Sequence, residues 1–246
     1  MVPKPKSPSK GKFIIRLGRH EIQAPAVCAP VIGRHLDSME NTLEKSIEEG
    51  AEIIELRLDK LEDAAGWEKL LRDDVPTIVT NRTKEEGGHF QGSEKERVEI
   101  LLDAIDSGAP CVDIELSTSE KKRNEVLKAA KDKNASVIIS FHNYQGVPSK
   151  RELMNKTESM IEAGCDFAKL ICFANDPQEA LRVLDFLILA SKKIKIPIIS
   201  FAMGVEGEFT RIAAPLLGSA IIYAPAGEKT APGQIDTSTT KKILKY

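Results

Sequence analysis

Cysteine is scarce in this sequence, long apolar runs are missing and neither sign of charge dominates. The four cysteines among 246 residues, Cys28, Cys111, Cys165 and Cys172, mostly sit in apolar runs. They form no CxxC pair, and no histidine is spaced to complete a zinc site, so they read as reduced core thiols. No apolar run approaches the roughly 18 residues of a bilayer span, and the N-terminal stretch lacks the apolar region of a secretory signal. A cytoplasmic protein is expected. The 35 basic and 37 acidic residues leave a net charge of -2, which gives no basis for nucleic acid or an anionic membrane as partner. A small molecule is the expected ligand.

What is present is a repeat. Residues 1–10 are rich in Pro, Lys and Ser and bury too little to order themselves. Residues 1–11 are therefore set aside as a disordered tail and 12–246 as one catalytic domain. Residues 12–17 and 20–24, joined by Gly18-Arg19, have the pattern of a hairpin; it would cover the bottom of a barrel and carry no chemistry. From Ala26 onward an apolar strand, a polar joint and an amphipathic helix recur. The expected strands are 26–31, 52–57, 77–81, 112–116, 137–141, 167–172, 197–202 and 220–224. The expected helices are 37–49, 64–72, 94–107, 119–133, 150–163, 177–192, 209–216 and 237–245. Eight such units predict a closed (β/α)8 TIM barrel, and the chain length suits one. Asp37 and Ser119 are N-cap types, Gly50 and Gly164 are C-cap types, and Pro177 suits a first helical turn.

Two of the strands carry ionisable residues that do not belong in a core. One apolar run ends directly on His142, and another, Phe167 to Cys172, holds Lys169 inside it. A helical segment closed by Gly164 separates them, so in a parallel sheet both C-terminal strand ends face the same side and the two side chains can converge. Strand alternation puts Glu55 and Arg57 on one face with Ile53, Thr80 and Arg82 with Ile78, Ser140 and His142 with Ile138, and Lys169 with Phe167 and Ile171. Charged groups thus recur near the end of four strands where barrel enzymes build their sites. Taken singly, each has a plainer reading. A strand lysine can snorkel to water, Glu55 and Arg57 can face outward, and the run 82–88 can be a charged turn. Gly87-Gly88 is too short to make a phosphate cradle. The segment 231–234 reads as a turn after the last strand, where loops overhang the site and can act as lids.

Several segments together carry a family resemblance: Glu55-Leu56-Arg57-Leu58-Asp59, the run from Arg82 to Gly88, Ser140-Phe141-His142, Ala168-Lys169, Met203-Gly204 with Arg211, Gly218-Ser219-Ala220, and Ala231 to Ile235. In this order and spacing the chain resembles type I 3-dehydroquinate dehydratase, the Schiff-base class of the shikimate pathway. The match runs from about Ala26 to the C-terminus.

The resemblance implies dehydration of 3-dehydroquinate to 3-dehydroshikimate with no metal and no organic cofactor, by a homodimer. Lys169 would be the amine that forms the imine, His142 the general base and also the acid-base partner in forming and hydrolysing the imine, and Glu86 the carboxylate that orients it. Arg211 would clamp the substrate carboxylate, with Thr230 and Gln234 as lid residues near the same end. Glu55, Arg57 and Arg82 would hold the ring hydroxyls, and Met203, Phe201 and Tyr223 would supply apolar walls. Burial and the neighbouring Arg57 and Arg82 would keep the lysine amine neutral. The chain departs from the family pattern at Asn143, where an acidic residue is common, at Thr230 for serine, at Tyr223 for phenylalanine and at Cys28 for serine. Two other readings stand beside this one. An aldolase-type Schiff-base barrel would need phosphate-binding glycines after the seventh and eighth strands, where none is convincing. A non-catalytic scaffold would have no need of Lys169, His142 and Glu86 together.

Overall fold

The computed structural model describes residues 13–226 and 235–244. The expected tail, residues 1–11, lies outside the described residues, as do Thr230 and Gln234. A hairpin comes first, with β1 (Phe13–Leu17) antiparallel to β2 (His20–Ala24). Its turn at Gly18 has a positive φ of 54°, and a Cβ there would stand 3.0 Å from the Pro110 carbonyl oxygen, so glycine is required on both counts. The Gly18 N–H donates to Ser136 Oγ at 3.0 Å, and that hydroxyl donates to the Arg16 carbonyl at 3.2 Å. Ser136 opens a barrel strand, so the hairpin seals the N-terminal mouth, with Ile15 and Leu17 buried beneath the barrel.

Eight parallel strands follow: β3 (Ala26–Ile32), β4 (Ile53–Arg57), β5 (Thr77–Thr80), β6 (Cys111–Glu115), β7 (Ser136–Asn143), β8 (Phe167–Phe173), β9 (Ile198–Met203) and β10 (Ile221–Tyr223). They run in sequence order around the sheet, with β10 returning to pair with β3. A parallel bridge from Ile198 to Ser219 and the Ala220 N–H donating to the Ile198 carbonyl at 2.8 Å join β9 to the start of β10 and complete the ring. The strands are almost wholly buried because helices cover their outer face and side chains fill the inside, which is why they read as unbroken apolar runs.

Among the described residues seven α-helices pack around the ring: α1 (Leu36–Glu48), α2 (Glu94–Asp106), α3 (Glu120–Asp132), α4 (Lys150–Glu162), α5 (Pro177–Lys193), α6 (Thr210–Leu217) and α7 (Thr237–Leu244). Capping boxes start α2 and α4, pairing Ser93 with Glu96 and Ser149 with Glu152. In α5 Asp176 caps the Glu179 N–H, and Pro177 occupies the first turn. The helix expected over 64–72 is instead one 3-10 turn, Trp67–Leu70. Gly66 is left-handed there (φ 81°), interrupting the run at its third residue, and Pro76 disfavours helical backbone at Val75. Too few residues remain to offset helix nucleation. The start of α1 also differs: His35 occupies the cap position and Asp37 lies in the first turn, where its charge complements the helix dipole. Ser119 does precede α3, but its hydroxyl donates to Glu94 rather than accepting from its own helix.

All four cysteines are free and buried. Burial pushes the Cys165 and Cys172 thiols up to about 12 and holds Cys28 and Cys111 well above their ordinary value, so none is a ready nucleophile. Among the described residues no helix is long and apolar enough to cross a membrane.

The hairpin contributes packing at the end of the barrel away from the charged strand ends. Leu17→Ala should therefore lower unfolding free energy by about 2–5 kcal/mol, measured by urea denaturation, while kcat of the folded fraction stays unchanged. A loss of kcat at full folding would show that the barrel bottom is coupled to the opposite mouth.

Candidate active site

The TIM barrel stacks inward side chains in layers, four at a time, from alternate strands. One such layer here is polar. Glu55 of β4, Asp113 of β6, Lys169 of β8 and Tyr223 of β10 meet at the centre, all nearly fully buried. Lys169 Nζ donates to Asp113 Oδ2 at 2.8 Å, to the Tyr223 hydroxyl at 3.0 Å and to Glu55 Oε1 at 3.2 Å. Its ammonium also lies 4.3 Å from the Tyr223 ring centroid. Two residues earlier on the same strands, alternation places Ile53, Cys111, Phe167 and Ile221 on the inward face, all buried. An apolar floor thus closes the polar layer from below.

The carboxylates are themselves held. Arg82 donates through Nη1 to Glu115 Oε1 at 2.8 Å and to Ser140 Oγ at 2.7 Å, and its Nη2 pairs with Asp113 Oδ1 at 2.9 Å. Ser140 donates to Asp113 Oδ1 at 2.6 Å, and Thr80 donates to Glu55 Oε1 at 3.1 Å. Arg97, a buried residue of α2, bonds Glu115 from outside the ring and Thr118 at 2.6 Å. Burial alone would raise the Asp113 carboxyl, but Arg82 and Lys169 overcome it and hold it far below the usual range.

A second unit stands at the rim. The chain leaves β5 through Arg82, makes a 3-10 turn at Lys84–Glu86 and doubles back at Gly87, where φ is +79°. Gly88 follows so closely that a Cβ would sit 2.0 Å from the Arg82 carbonyl oxygen. The glycine pair thus serves a tight return that aims Glu86 across to β7. Glu86 Oε2 accepts the His142 backbone N–H at 2.8 Å and faces His142 Nδ1 at 3.0 Å, while Oε1 accepts from Ser117 at 2.9 Å. When Glu86 is ionised, Nδ1 carries its hydrogen toward it and Nε2 is left as the lone-pair nitrogen. Burial pushes Glu86 up to about 7 against the pull of Arg82, and burial together with the Arg82 and Lys169 charges holds His142 well below its usual value.

Two further arginines complete the wall. Arg57 binds Asp59 through both prongs, at 2.7 and 2.9 Å, and Asp59 is fixed in turn by the His89 N–H at 3.0 Å. Arg211, at the start of α6, lies 4.5 Å over the Phe201 ring and donates to the Tyr223 carbonyl at 3.4 Å. Burial lowers its guanidinium to about 10, which leaves it charged at neutral pH.

Glu55, Arg57, Arg82, Glu86, His142, Lys169, Met203 and Arg211 line one cavity of about 100 Å³. Thr230 and Gln234 belong to the segment outside the described residues. A larger cavity, about 1010 Å³, opens beside the shortened 64–72 segment. Trp67 and Asp103 are bonded to each other at 3.2 Å there, and Arg34 pairs with Glu62. Among the described residues no group of three or more His, Cys, Asp or Glu is placed to hold a metal ion.

The surroundings of Lys169 differ from the apolar, arginine-flanked pocket the sequence suggests. Arg57 is committed to Asp59 and Arg82 to Asp113 and Glu115, while the amine itself is ion-paired to Glu55 and Asp113. The residues sequence reasoning missed, Asp113 and Glu115, share a face of β6 by the same alternation that exposed Glu55 and Arg57. That signal was present in the strand Cys111–Glu115. Arg97 and Ser117 gave none, since a helix arginine and a loop serine are ordinary surface residues in a sequence.

The folded chain keeps the Glu86 proton between the usual 4.5 and about 7, where the unfolded chain has lost it. Its contribution to stability therefore falls as pH rises through that window, by roughly 3 kcal/mol in full. His142, whose folded value is depressed, works in the opposite sense at the acid end, so the comparison that isolates Glu86 is wild type against Glu86→Gln. Urea midpoints across the window should show the variant gaining on the wild type as pH rises. Parallel profiles would assign the titration to another group.

A family profile described as type I 3-dehydroquinase matches residues 27–246. A 3-dehydroquinate dehydratase of Methanosarcina acetivorans is 35% identical over 243 residues, covering 93% of this chain and 98% of the relative. A solved type I 3-dehydroquinate dehydratase from Clostridium difficile, carrying covalently modified comenic acid, superposes with a TM-score of 0.88 at 25% identity, covering 96% of this chain and 98% of that one. The 3-dehydroquinate dehydratase of Geobacillus kaustophilus gives a TM-score of 0.88 at 27% identity, with 96% of both chains covered. With the profile covering nearly the whole barrel and the relative aligned over almost its full length, this chain belongs to the type I 3-dehydroquinase family.

Proposed function

We propose that the protein dehydrates 3-dehydroquinate to 3-dehydroshikimate, the third step of the shikimate pathway, through a Schiff base on Lys169. The observation that carries this reading is the juxtaposition, in one small cavity, of a buried amine held by two carboxylates and a histidine held by a third.

The substrate carboxylate would pair with Arg211, whose stacked guanidinium presents a planar fork to a planar anion. The ketone would then lie at Lys169. Condensation turns the ammonium and the ketone into an iminium and one water, so the positive charge beside Glu55 and Asp113 is unchanged. The iminium draws electrons from the neighbouring C–H bond. His142, neutral because it is buried, takes that proton at Nε2. The enamine expels the β-hydroxyl, which leaves as water with a proton returned by His142, and hydrolysis of the iminium frees Lys169. Glu86 fixes the imidazole through Nδ1 and stabilises the imidazolium while it exists. Glu55, Arg57, Arg82 and Met203 would shape the pocket around the ring and its hydroxyls, with Thr230 and Gln234 closing over it. None of these steps calls for a metal or an organic cofactor, and nucleic acid has no part in it.

Residues 12–246 would act as one catalytic domain, in a homodimer in the cytoplasm. The family resemblance supports the dimer; four protonated, buried thiols suit a reducing compartment.

Borohydride added with 3-dehydroquinate should reduce the imine and leave a permanent mass adduct on the peptide containing Lys169. No adduct should form without ligand, and Lys169→Ala should neither trap nor turn over. An adduct on another lysine, or full activity in the alanine variant, would overturn the Schiff-base assignment.

Arg211→Lys keeps the charge but loses the fork. It should weaken substrate capture by roughly 1–3 kcal/mol, read as an increase in Kd, with little effect on an analogue lacking the carboxylate. Equal losses for both ligands would place the clamp elsewhere.

A further inference from the structure

Arg97 stands where α2 by itself has no use for a cation. It lies in the first turn, just after the Ser93 cap, so its charge opposes the helix dipole. It also lies on the buried face beside Val98 and Leu101, where a guanidinium is costly unless it is paired. Both prongs are used: Nη1 donates to Glu115 Oε2, and Nη2 donates to the Thr118 hydroxyl at 2.6 Å. Each contact leads on to Glu86. Through Oε1, Glu115 accepts the Thr83 N–H at 3.2 Å, and Thr83 opens the 3-10 turn that carries Glu86. Thr118 follows Ser117, whose hydroxyl donates to Glu86 Oε1 at 2.9 Å. The residues on either side of Ser117 are held as well, because Arg123 donates to the carbonyls of Leu116 at 2.8 Å and Thr118 at 2.7 Å. Glu86 is thus tied at the base of its loop and at its own carboxylate, and both ties end on one guanidinium.

From this geometry we infer that Arg97 is a positioning residue for the Glu86–His142 pair, holding from the outer helix both the loop that carries the carboxylate and the turn that bonds it. The inference rests on the reading above, in which His142 is the base. Arg97 touches no reacting atom; it acts through Glu115 on one side and through Thr118 and Ser117 on the other. Its charge acts along the same route. The charged groups that bear on Glu86 are Arg82 from the end of β5, Glu115 from β6 and His142 from β7, while its own turn adds Lys84 and Glu85, both exposed. Among these, Glu115 pushes the Glu86 carboxyl up and Arg82 pulls it down. With Arg97 present, Glu115 is shared between two guanidiniums. Without it, the negative charge of Glu115 bears more strongly on Glu86, which keeps its proton to higher pH. His142, which faces Arg82, Lys169, Asp113 and Arg57, moves in the same direction. A protonated Glu86 no longer reserves the Nδ1–H tautomer, so Nε2 is not kept as the lone-pair nitrogen.

Arg97→Met keeps the aliphatic stem and removes the charge with both prongs, whereas Arg97→Lys keeps the charge. The first readout needs no substrate: nitrogen NMR of labelled histidine, followed through the neutral pH range, reports the His142 tautomer. In the wild type the Nδ1–H form should appear as Glu86 ionises near its value of about 7. In Arg97→Met that midpoint and the ascending limb of kcat/KM should both move up by about one pH unit, a loss of about fivefold at neutral pH. In Arg97→Lys both should stay within about 0.3 unit of wild type. A merely structural role would lower the urea midpoint and leave both pH midpoints in place. Thr118→Val keeps every charge and cuts only the second prong, so it decides the matter where Arg97→Met does not fold. There the Nδ1–H form should be less complete above an unmoved midpoint, and kcat should fall at least about threefold. Unshifted midpoints in folded Arg97→Met, an equal shift in Arg97→Lys, or a wild-type tautomer and kcat in Thr118→Val would overturn the assignment. A wild type inactive on 3-dehydroquinate would instead overturn the functional reading, and the tautomer spectra would still decide the role of Arg97.

Discussion

The structure depends on the compensation of charge inside the barrel. Lys169, Arg82 and Arg97 alternate with Glu55, Asp113 and Glu115 in one connected set of ion pairs, three cations against three anions, all nearly fully buried. A buried ion without its partner costs about 3–5 kcal/mol, so no member can be removed without leaving another exposed to that penalty. The set also links the layers of the fold. Arg97 belongs to an outer helix, Glu115 and Asp113 to β6, Arg82 to the end of β5 and Lys169 to β8. With Glu55 on β4, placing one lysine at the centre therefore constrains five elements.

The chemistry follows from keeping that compensation constant. An ammonium and an iminium carry the same charge in nearly the same place, so Glu55 and Asp113 suit the nitrogen before and after condensation. The rim unit is built on the opposite principle. Burial there favours neutral forms, driving His142 down and Glu86 up, which yields an imidazole able to accept a proton near neutral pH. One site thus holds an ion-paired layer beneath a rim that burial drives toward neutral forms.

The loops contribute in proportion to how tightly they are tied. The return at Gly87-Gly88 is held by the Gly88 N–H donating to the Thr83 carbonyl at 2.7 Å, and it delivers Glu86 to His142 without help from a long connection. The charged appearance of residues 82–88 in the sequence is therefore the record of two tasks, Arg82 facing the barrel interior and Glu86 facing the rim. Beside it, the shortened segment around Trp67 shows what the fold tolerates: one barrel helix reduced to a single turn, with Trp67 still buried and bonded to Asp103.

Most of the barrel was legible in the sequence because strand burial on both faces and helix amphipathicity are local patterns, and eight repeats of them admit few architectures. The same local alternation put Glu55, Arg57, Arg82, His142 and Lys169 near one end, and the ordered motifs supplied the family. The missing second helix was not legible, since it turned on the left-handed backbone at Gly66 and the nearby Pro76 outweighing an amphipathic pattern. Nor was the state of Lys169. Which charges meet it depends on barrel closure, because Glu55, Asp113 and Tyr223 come from strands separated by whole helices and share a layer only when the ring is complete. Sequence by itself determined that a lysine and a histidine stand at strand ends in this fold; tertiary structure decided that the lysine is held by two carboxylates and a phenol, since proximity across a closed barrel is set by strand stagger and not by spacing along the chain.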